Sequence, residues 1–178
     1  MFFMCERGDE MELWDVLDEN RQKTGRLVER ENPLSRLDPG EYHLVVFAFI
    51  RNTDGRFLIS KRAPNKTFPN KWEITGGSAV TGDDSLTAVL REIKEELGID
   101  VDPEKGHLLK SFKIDDDRSF FADIWYFEHD VDLSQVVCQP GEVTEAKLAL
   151  KDEMMKMINN GVFAMNWFVL ECLESLDC

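Results

Sequence analysis

The stretch YHLVVFAFI, ending at Ile50, is an unbroken apolar run of β-branched and aromatic residues, the pattern of a strand buried on both faces. Asn52-Thr53-Asp54-Gly55 then reads as a hairpin turn, and RFLISKR returns as the partner strand. APNKTFPNKW, with Pro64 and Pro69, is a loop, and WEI is a short strand running into a glycine turn at Gly76-Gly77. From Asp84 to Leu97 the spacing of Leu86, Leu90, Ile93 and Leu97 predicts a helix with one apolar face, stopped by Gly98.

HLLKSFKI and SFFADIWYFEHDV predict two antiparallel strands around an acidic turn, Asp115-Asp116-Asp117. EAKLAL is a further strand, KDEMMKMINN a short helix closed near Gly161, and FAMNWFVLECLESL an amphipathic tail with Phe163, Trp167, Leu170 and Leu173 on its buried stripe. Ahead of all this, MELWDVLDENRQKTGRLVER predicts a strand, a polar turn at Asp18-Glu19-Asn20, and a second strand or a continuation of the first, joined to the rest by the Pro- and Gly-rich NPLSRLDPGEY. The pattern is that of one α+β domain over residues 36–178, preceded by a β appendage over residues 1–35.

Composition narrows the class of partner. The 178 residues carry 35 acids against 21 bases, a net charge of −14, which repels a phosphate backbone and argues against binding a nucleic-acid polymer. Such a chain suits the capture of cations, or their use to bring in an anionic substrate. Cys5, Cys138, Cys172 and Cys178 are far apart and form no metal-binding pair with the three histidines, so they read as reduced thiols of a cytoplasmic protein. No apolar run is long enough for a membrane span, and the opening MFFMCERGDE lacks the pattern of a secretory signal.

The densest chemistry lies on the helix from Asp84. Glu92 and Glu96 project within roughly 40° of each other on a helix, and Glu95 flanks Glu92 at roughly 60°. Like charges at this spacing cost a few tenths of a kcal/mol per pair. A divalent cation reverses that sign, because hard cations take oxygen ligands. Without a cation the trio would be a solvated acidic face, as most charge runs are.

The whole stretch from Gly77 to Ile99 resembles the Nudix box, G-x5-E-x7-R-E-U-x-E-E-x-G-U, with U a bulky aliphatic. Gly77, Arg91, Glu92, Ile93, Glu95, Glu96, Gly98 and Ile99 match, and Asp83 stands where the family has Glu. The resemblance covers roughly residues 40 to 160 and implies an α/β/α sandwich with a mixed sheet. It also implies hydrolysis of a small diphosphate, usually a nucleotide derivative, with Mg²⁺ or Mn²⁺. Carried over by position, Glu92, Glu95, Glu96 and the Gly76 carbonyl would hold metal. Glu92, Glu95 and Arg91 would serve catalysis, and Gly77, Asp83 and Gly98 would support the box. Many family members add a late acid, for which Glu142 is the first candidate and Glu145 the second.

The flanking stretches ELWDVLDENRQKTG, EYHLVVFAFI and LISKRAPNKTFPNKWE resemble the Nudix proteins related to isopentenyl diphosphate isomerase. That likeness implies phosphate contacts from Arg62 and Lys66 and a metal-binding role for His43, although a lone histidine on a strand is more often a packed one. Isomerisation itself is disfavoured, because WEITGGSA lacks the isomerase's catalytic Cys and its Gly-His pair. A catalytically idle Nudix module that only binds a nucleotide or a protein is the other alternative, and such modules usually lose the box carboxylates retained here. The tail helix or the N-terminal strands could support a homodimer.

Overall fold

A computed structural model of the chain describes residues 12–30, 37–115, 119–164 and 167–176. Strands β1 (Leu13–Leu17) and β2 (Lys23–Glu29) form an antiparallel hairpin. Its turn is closed by Asp18, whose Oδ1 accepts from the backbone N–H groups of Asn20 at 2.9 Å and Gln22 at 2.8 Å, the local bonding that favours Asp in turns. The main sheet is built from β3 (His43–Arg51), β4 (Phe57–Arg62), β5 (Trp72–Glu73), β6 (Thr75–Ser78), β7 (Gly106–Ile114), β8 (Phe120–Glu128) and β9 (Val143–Ala149). β3 pairs parallel with β8 and antiparallel with β6, β7 lies antiparallel on β8, and β4 lies between β5 and β9. The sheet is therefore mixed.

Helices cover both faces, and the period-two alternation of β3 shows why. Val46, Ala48 and Ile50 point into a cluster with Val89, Ile93 and Leu97 of α1 (Ser85–Leu97). Val45, Phe47 and Phe49 belong to the opposite cluster, with Met154 and Ile158 of α2 (Lys151–Asn159) and Phe168, Val169 and Leu173 of α3 (Trp167–Ser175). This is an α/β/α sandwich with a mixed sheet, as the resemblance implies.

Helix α1 has chemically defined ends. Asp84 is its N-cap, accepting from the Thr87 N–H at 2.7 Å, and Gly98 closes it in the left-handed region at φ 71°. Only glycine enters that region without a steric cost.

Three expectations need correction. Gly76-Gly77 is not a turn: both residues lie in β6, opposite Phe47 and Val46 of β3. The apolar face of α1 is centred on Val89, Ile93 and Leu97, while Leu86 and Leu90 are only half-buried at its margin. In the tail, Phe163 and Leu173 are buried as expected, but Trp167 is 57% exposed and Leu170 half-buried, and Leu173 shares its buried face with Phe168, Val169 and Cys172. The described part of the helix, Trp167–Ser175, turns Phe168, Val169 and Cys172 inward, so a phase counted from Phe163 does not carry through Trp167.

Residues 116–118 of the acidic turn, the boundary at residues 35 and 36, Cys5 and Cys178 lie outside the described residues. Cys138 and Cys172 are free thiols. No helix among the described residues is long and apolar enough to cross a membrane.

The N-terminal hairpin is tied to the main body by a buried ion pair. Arg21 Nη1 donates to Asp123 Oδ1 at 2.9 Å, and Asp123 on β8 is completely buried. The same carboxylate accepts from Ser111 Oγ at 2.6 Å and from Ser85 Oγ at the start of α1, and Trp125 Nε1 donates to Ser85. Leu17 also bridges to Tyr42, and the Thr81 N–H donates to the Leu13 carbonyl at 2.7 Å. A buried carboxylate that loses its charged partner keeps its desolvation cost. Arg21→Ala is therefore expected to cost about 2 kcal/mol, discounted for the partial exposure of Arg21, in urea denaturation.

Candidate active site

Two positions of β6 have no room for a side chain. A Cβ at Gly76 would sit 2.3 Å from the Val46 carbonyl oxygen, and one at Gly77 would sit 2.5 Å from the Glu92 carboxyl carbon. The glycine pair thus makes room in two directions, toward β3 and toward the box helix. Glu92 and Glu96 are consequently buried, at 8% and 7% exposure, while Glu95 faces outward.

One guanidinium organises the outer side of this cluster. Arg91 Nη1 donates to Glu92 Oε1 at 3.0 Å and to Glu95 Oε2 at 3.2 Å. Its Nη2 donates to the Ser78 carbonyl at 2.9 Å, and both Nε and Nη2 reach Asp83 Oδ2 at 3.1 Å. The same Asp83 oxygen accepts from the Val80 N–H at 3.2 Å, so Asp83 joins the loop to Arg91 through one atom. On the inner side, Thr75 Oγ1 donates to Glu96 Oε2.

The three glutamates that this network holds line a cavity of about 380 Å³. Gly76, Gly77, Glu92, Glu95 and Glu96 form one wall, and Arg62, Lys66 and Glu142 also face it. Arg62 Nη1 pairs with Glu73 Oε2 at 2.6 Å, and Lys66 pairs with Glu142. Glu145 lies outside the cavity lining, with its carboxylate 3.6 Å from Lys61 on the neighbouring strand. His43 is not among the lining residues either. It stacks on Trp14 at 4.1 Å, and burial pushes its pKa down to about 4, so it is a packed histidine.

The cavity also contains residues that the sequence pattern did not single out: Glu12 and Arg30 from the hairpin, Glu73, Gln139 and Phe68. Glu73 was findable. Glu73, Thr75 and Gly77 alternate in period two, while Trp72 and Ile74 belong to the opposite core cluster. Glu12 and Arg30, paired to each other, come to the site only because the hairpin docks there, which no local pattern encodes.

Burial dominates the electrostatics. It raises the Glu96 pKa to about 8, with Glu73 and Glu92 adding repulsion and the Thr75 hydrogen bond opposing. It raises Glu73 to about 7 against the pull of Arg62, and it raises Glu92 against the pull of Arg91. Among the described residues no three His, Cys, Asp or Glu side chains converge into a ready metal cluster. Arg91 holds Glu92 and Glu95, and Thr75 holds Glu96, each toward its own partner. The donor set nevertheless fits a hard divalent cation: carboxylate oxygens packed in one place, poorly solvated, beside a backbone with no side chain.

Comparison with known proteins agrees with this geometry. Residues 41–165 match the NUDIX domain family. Over 161 residues the chain is 37% identical to an uncharacterized Nudix hydrolase of Listeria monocytogenes, covering 89% of this chain and 92% of that one. In fold it resembles the crystal structure of a Deinococcus radiodurans protein, with a TM-score of 0.73 at 23% identity over 93% of this chain and 100% of the other. A MutT protein from Methanosarcina mazei gives a TM-score of 0.59 at 24% identity, over 75% and 91% of the two chains. The chain belongs to the Nudix family of hydrolases. Members of this family generally use divalent metals and act on small nucleotide derivatives.

Two predictions follow from the packing and the charge. Gly76→Ala meets rigid backbone and is expected to destabilise the fold by about 1–3 kcal/mol in urea denaturation. Gly77→Ala meets only the end of the Glu92 side chain, so stability should be largely kept while cation binding, read by calorimetry, weakens. For pH, the folded chain holds Glu73 and Glu96 protonated up to about 7 and about 8, against 4.5 unperturbed. Protons bound in excess by the folded state make stability fall as pH rises through that interval. The melting temperature of cation-free protein should therefore decline from about pH 5 to about pH 8, with a shallower decline in Glu96→Gln.

Proposed function

We propose that this chain is a divalent-cation-dependent pyrophosphohydrolase. It cleaves the diphosphate bond of an X-linked nucleoside diphosphate, or a related small diphosphate, by attack of water on phosphorus. The observation that carries this reading is the meeting of Glu92, Glu95, Glu96 and the Gly76 backbone with Arg62 and Lys66 around one cavity. Glu92 and Glu96 would be the principal ligands of Mg²⁺ or Mn²⁺, with Glu95 and the Gly76 carbonyl completing the set. A bound divalent ion supplies neutralisation of the diphosphate and a more acidic water.

The chain's own residues supply orientation and proton transfer. Arg91 holds Glu92 and Glu95 in position. Arg62 and Lys66 offer positive charge to the diphosphate, each by exchanging a glutamate partner for a phosphate oxygen. As the water oxygen bonds to phosphorus, the anhydride P–O bond breaks and the bridging oxygen leaves with the other phosphate. Glu92 or Glu142 takes the proton from the water. Free thiols at Cys138 and Cys172 support a cytoplasmic setting.

Glu92→Gln and Glu96→Gln are each expected to lower turnover by about a hundredfold or more, with an unchanged circular-dichroism spectrum. The assay is phosphate or monophosphate release from a broad panel of nucleoside diphosphate derivatives with Mg²⁺ or Mn²⁺. Wild-type protein that binds such compounds but turns over none of them would instead mark a binding module.

A further inference from the structure

The cavity has two chemical halves, one of them charged. The other half is apolar: Val45, Phe47, Phe120 and Ala164 line it, and Phe68 stands at its rim. Phe68 is unusual in three respects. It is 54% exposed, a large aromatic surface left in water beside a functional cavity. Its backbone lies in the left-handed region at φ 55°, where a bulky residue is a genuine outlier. And Pro69 follows it, a neighbour that favours extended backbone in the residue ahead.

The loop is tightly held in this conformation. Arg62 Nε donates to the Thr67 carbonyl immediately ahead of Phe68, while Arg62 Nη1 stays on Glu73. The Asn70 N–H donates to the Arg62 carbonyl at 3.2 Å, the Lys66 N–H to the Ala63 carbonyl at 3.2 Å, and the Ala63 N–H to the Glu142 carbonyl at 2.9 Å. Asn70 is also left-handed, at φ 60°, but asparagine tolerates that region and phenylalanine does not. Phe68 gains no burial in return for its backbone conformation. Strain that the surroundings enforce without a packing reward marks a residue aimed at a ligand.

We propose that Phe68 is a substrate-contacting, specificity-determining residue, on which a planar base of the substrate stacks. The inference rests on the pyrophosphohydrolase reading for the placing of the diphosphate at the carboxylate wall. A substrate with its diphosphate there carries its X or nucleoside end toward the apolar half, and a flat ring matches both the aromatic rim and the Phe47 and Phe120 wall behind it. Stacking is tolerant of base identity, because every base presents a π face. The site therefore selects for the presence of a base more than for its kind.

The test compares two hydrolysis-inert probes in the presence of Mg²⁺: α,β-methylene-ADP, which carries a base, and methylenediphosphonate, which does not. Phe68→Gly removes the ring and relieves the left-handed strain, so its melting temperature should equal or exceed that of wild type. Its affinity for α,β-methylene-ADP in calorimetry is expected to fall about tenfold, with methylenediphosphonate binding changed less than about twofold, and Phe68→Trp should restore the base-dependent part. Unchanged affinity of Phe68→Gly for α,β-methylene-ADP overturns the proposal, as does an equal loss for both probes, which would make the residue a prop for the loop. Failure of wild type to bind α,β-methylene-ADP overturns it too. Because neither probe is hydrolysed, binding is read independently of turnover, and a chain that stacks the base yet hydrolyses nothing would contradict only the catalytic reading.

Discussion

The contact between α1 and β6 is the constraint on which the rest of the site depends. A side chain at Gly77 would push the Glu92 carboxylate out of its place against the sheet. With Gly77 bare, the Glu92 carboxylate occupies the volume of its missing Cβ, while Gly76 makes room toward β3. Burial of the two carboxylates is thus a consequence of backbone packing, and their raised pKa values are a consequence of burial. The cost of desolvating them falls on the folded chain, and three devices offset it: the Arg91 guanidinium, the Thr75 hydroxyl and retained protons. On the proposed reading, a divalent cation takes the place of those protons.

Arg91 shows how few connections secure such a site. One planar guanidinium has five N–H donors in a fixed fork, and here it spans the helix, the Ser78 carbonyl and the loop before the helix. Its acceptor in that loop is Asp83, at the position where the Nudix pattern has Glu. The shorter side chain reaches both Arg91 and the Val80 N–H, but only through Oδ2. Asp84, its neighbour, has a separate task as the helix cap. Two adjacent acids of equal charge therefore differ in role because one points at a guanidinium and the other at the free N–H groups of a helix end.

Much of the sandwich was legible in the sequence, for physical reasons that also mark the limits of such reading. The β3 run, the hairpin at Asn52–Gly55 and the capped helix α1 are local patterns, and each appears where its pattern places it. The glycine pair was legible as a functional feature and misread as a turn, since glycine in sequence signals freedom equally well for a bend or for close approach. Phe163 and Leu173 are buried as expected, whereas Trp167 and Leu170 were misplaced because helical phase cannot be carried from Phe163 through a tail so rich in apolar residues. Glu12 and Arg30 were invisible for a stronger reason: their place at the cavity depends on the docking of the hairpin, through contacts such as Arg21–Asp123 between residues 102 apart in sequence.

Charge balance around the cavity carries the argument one step further. On the proposed reading an acidic protein must hold an anionic diphosphate against a wall of glutamates. Every basic side chain lining the cavity already has a carboxylate partner: Arg62 with Glu73, Lys66 with Glu142, Arg30 with Glu12. These pairs are not equivalent. In Arg62–Glu73 the side chains are 17% and 14% exposed, whereas in Arg30–Glu12 they are 44% and 40% exposed. An exposed pair is held by little more than the median surface ion pair, about 0–1 kcal/mol, so its arginine exchanges partners at small cost. A buried pair that exchanges its partner leaves a carboxylate stranded, unless that carboxylate takes up a proton, and Glu73, with its pKa raised to about 7, does so readily near neutral pH. On the proposed reading, phosphate capture by Arg62 would be linked to protonation of Glu73.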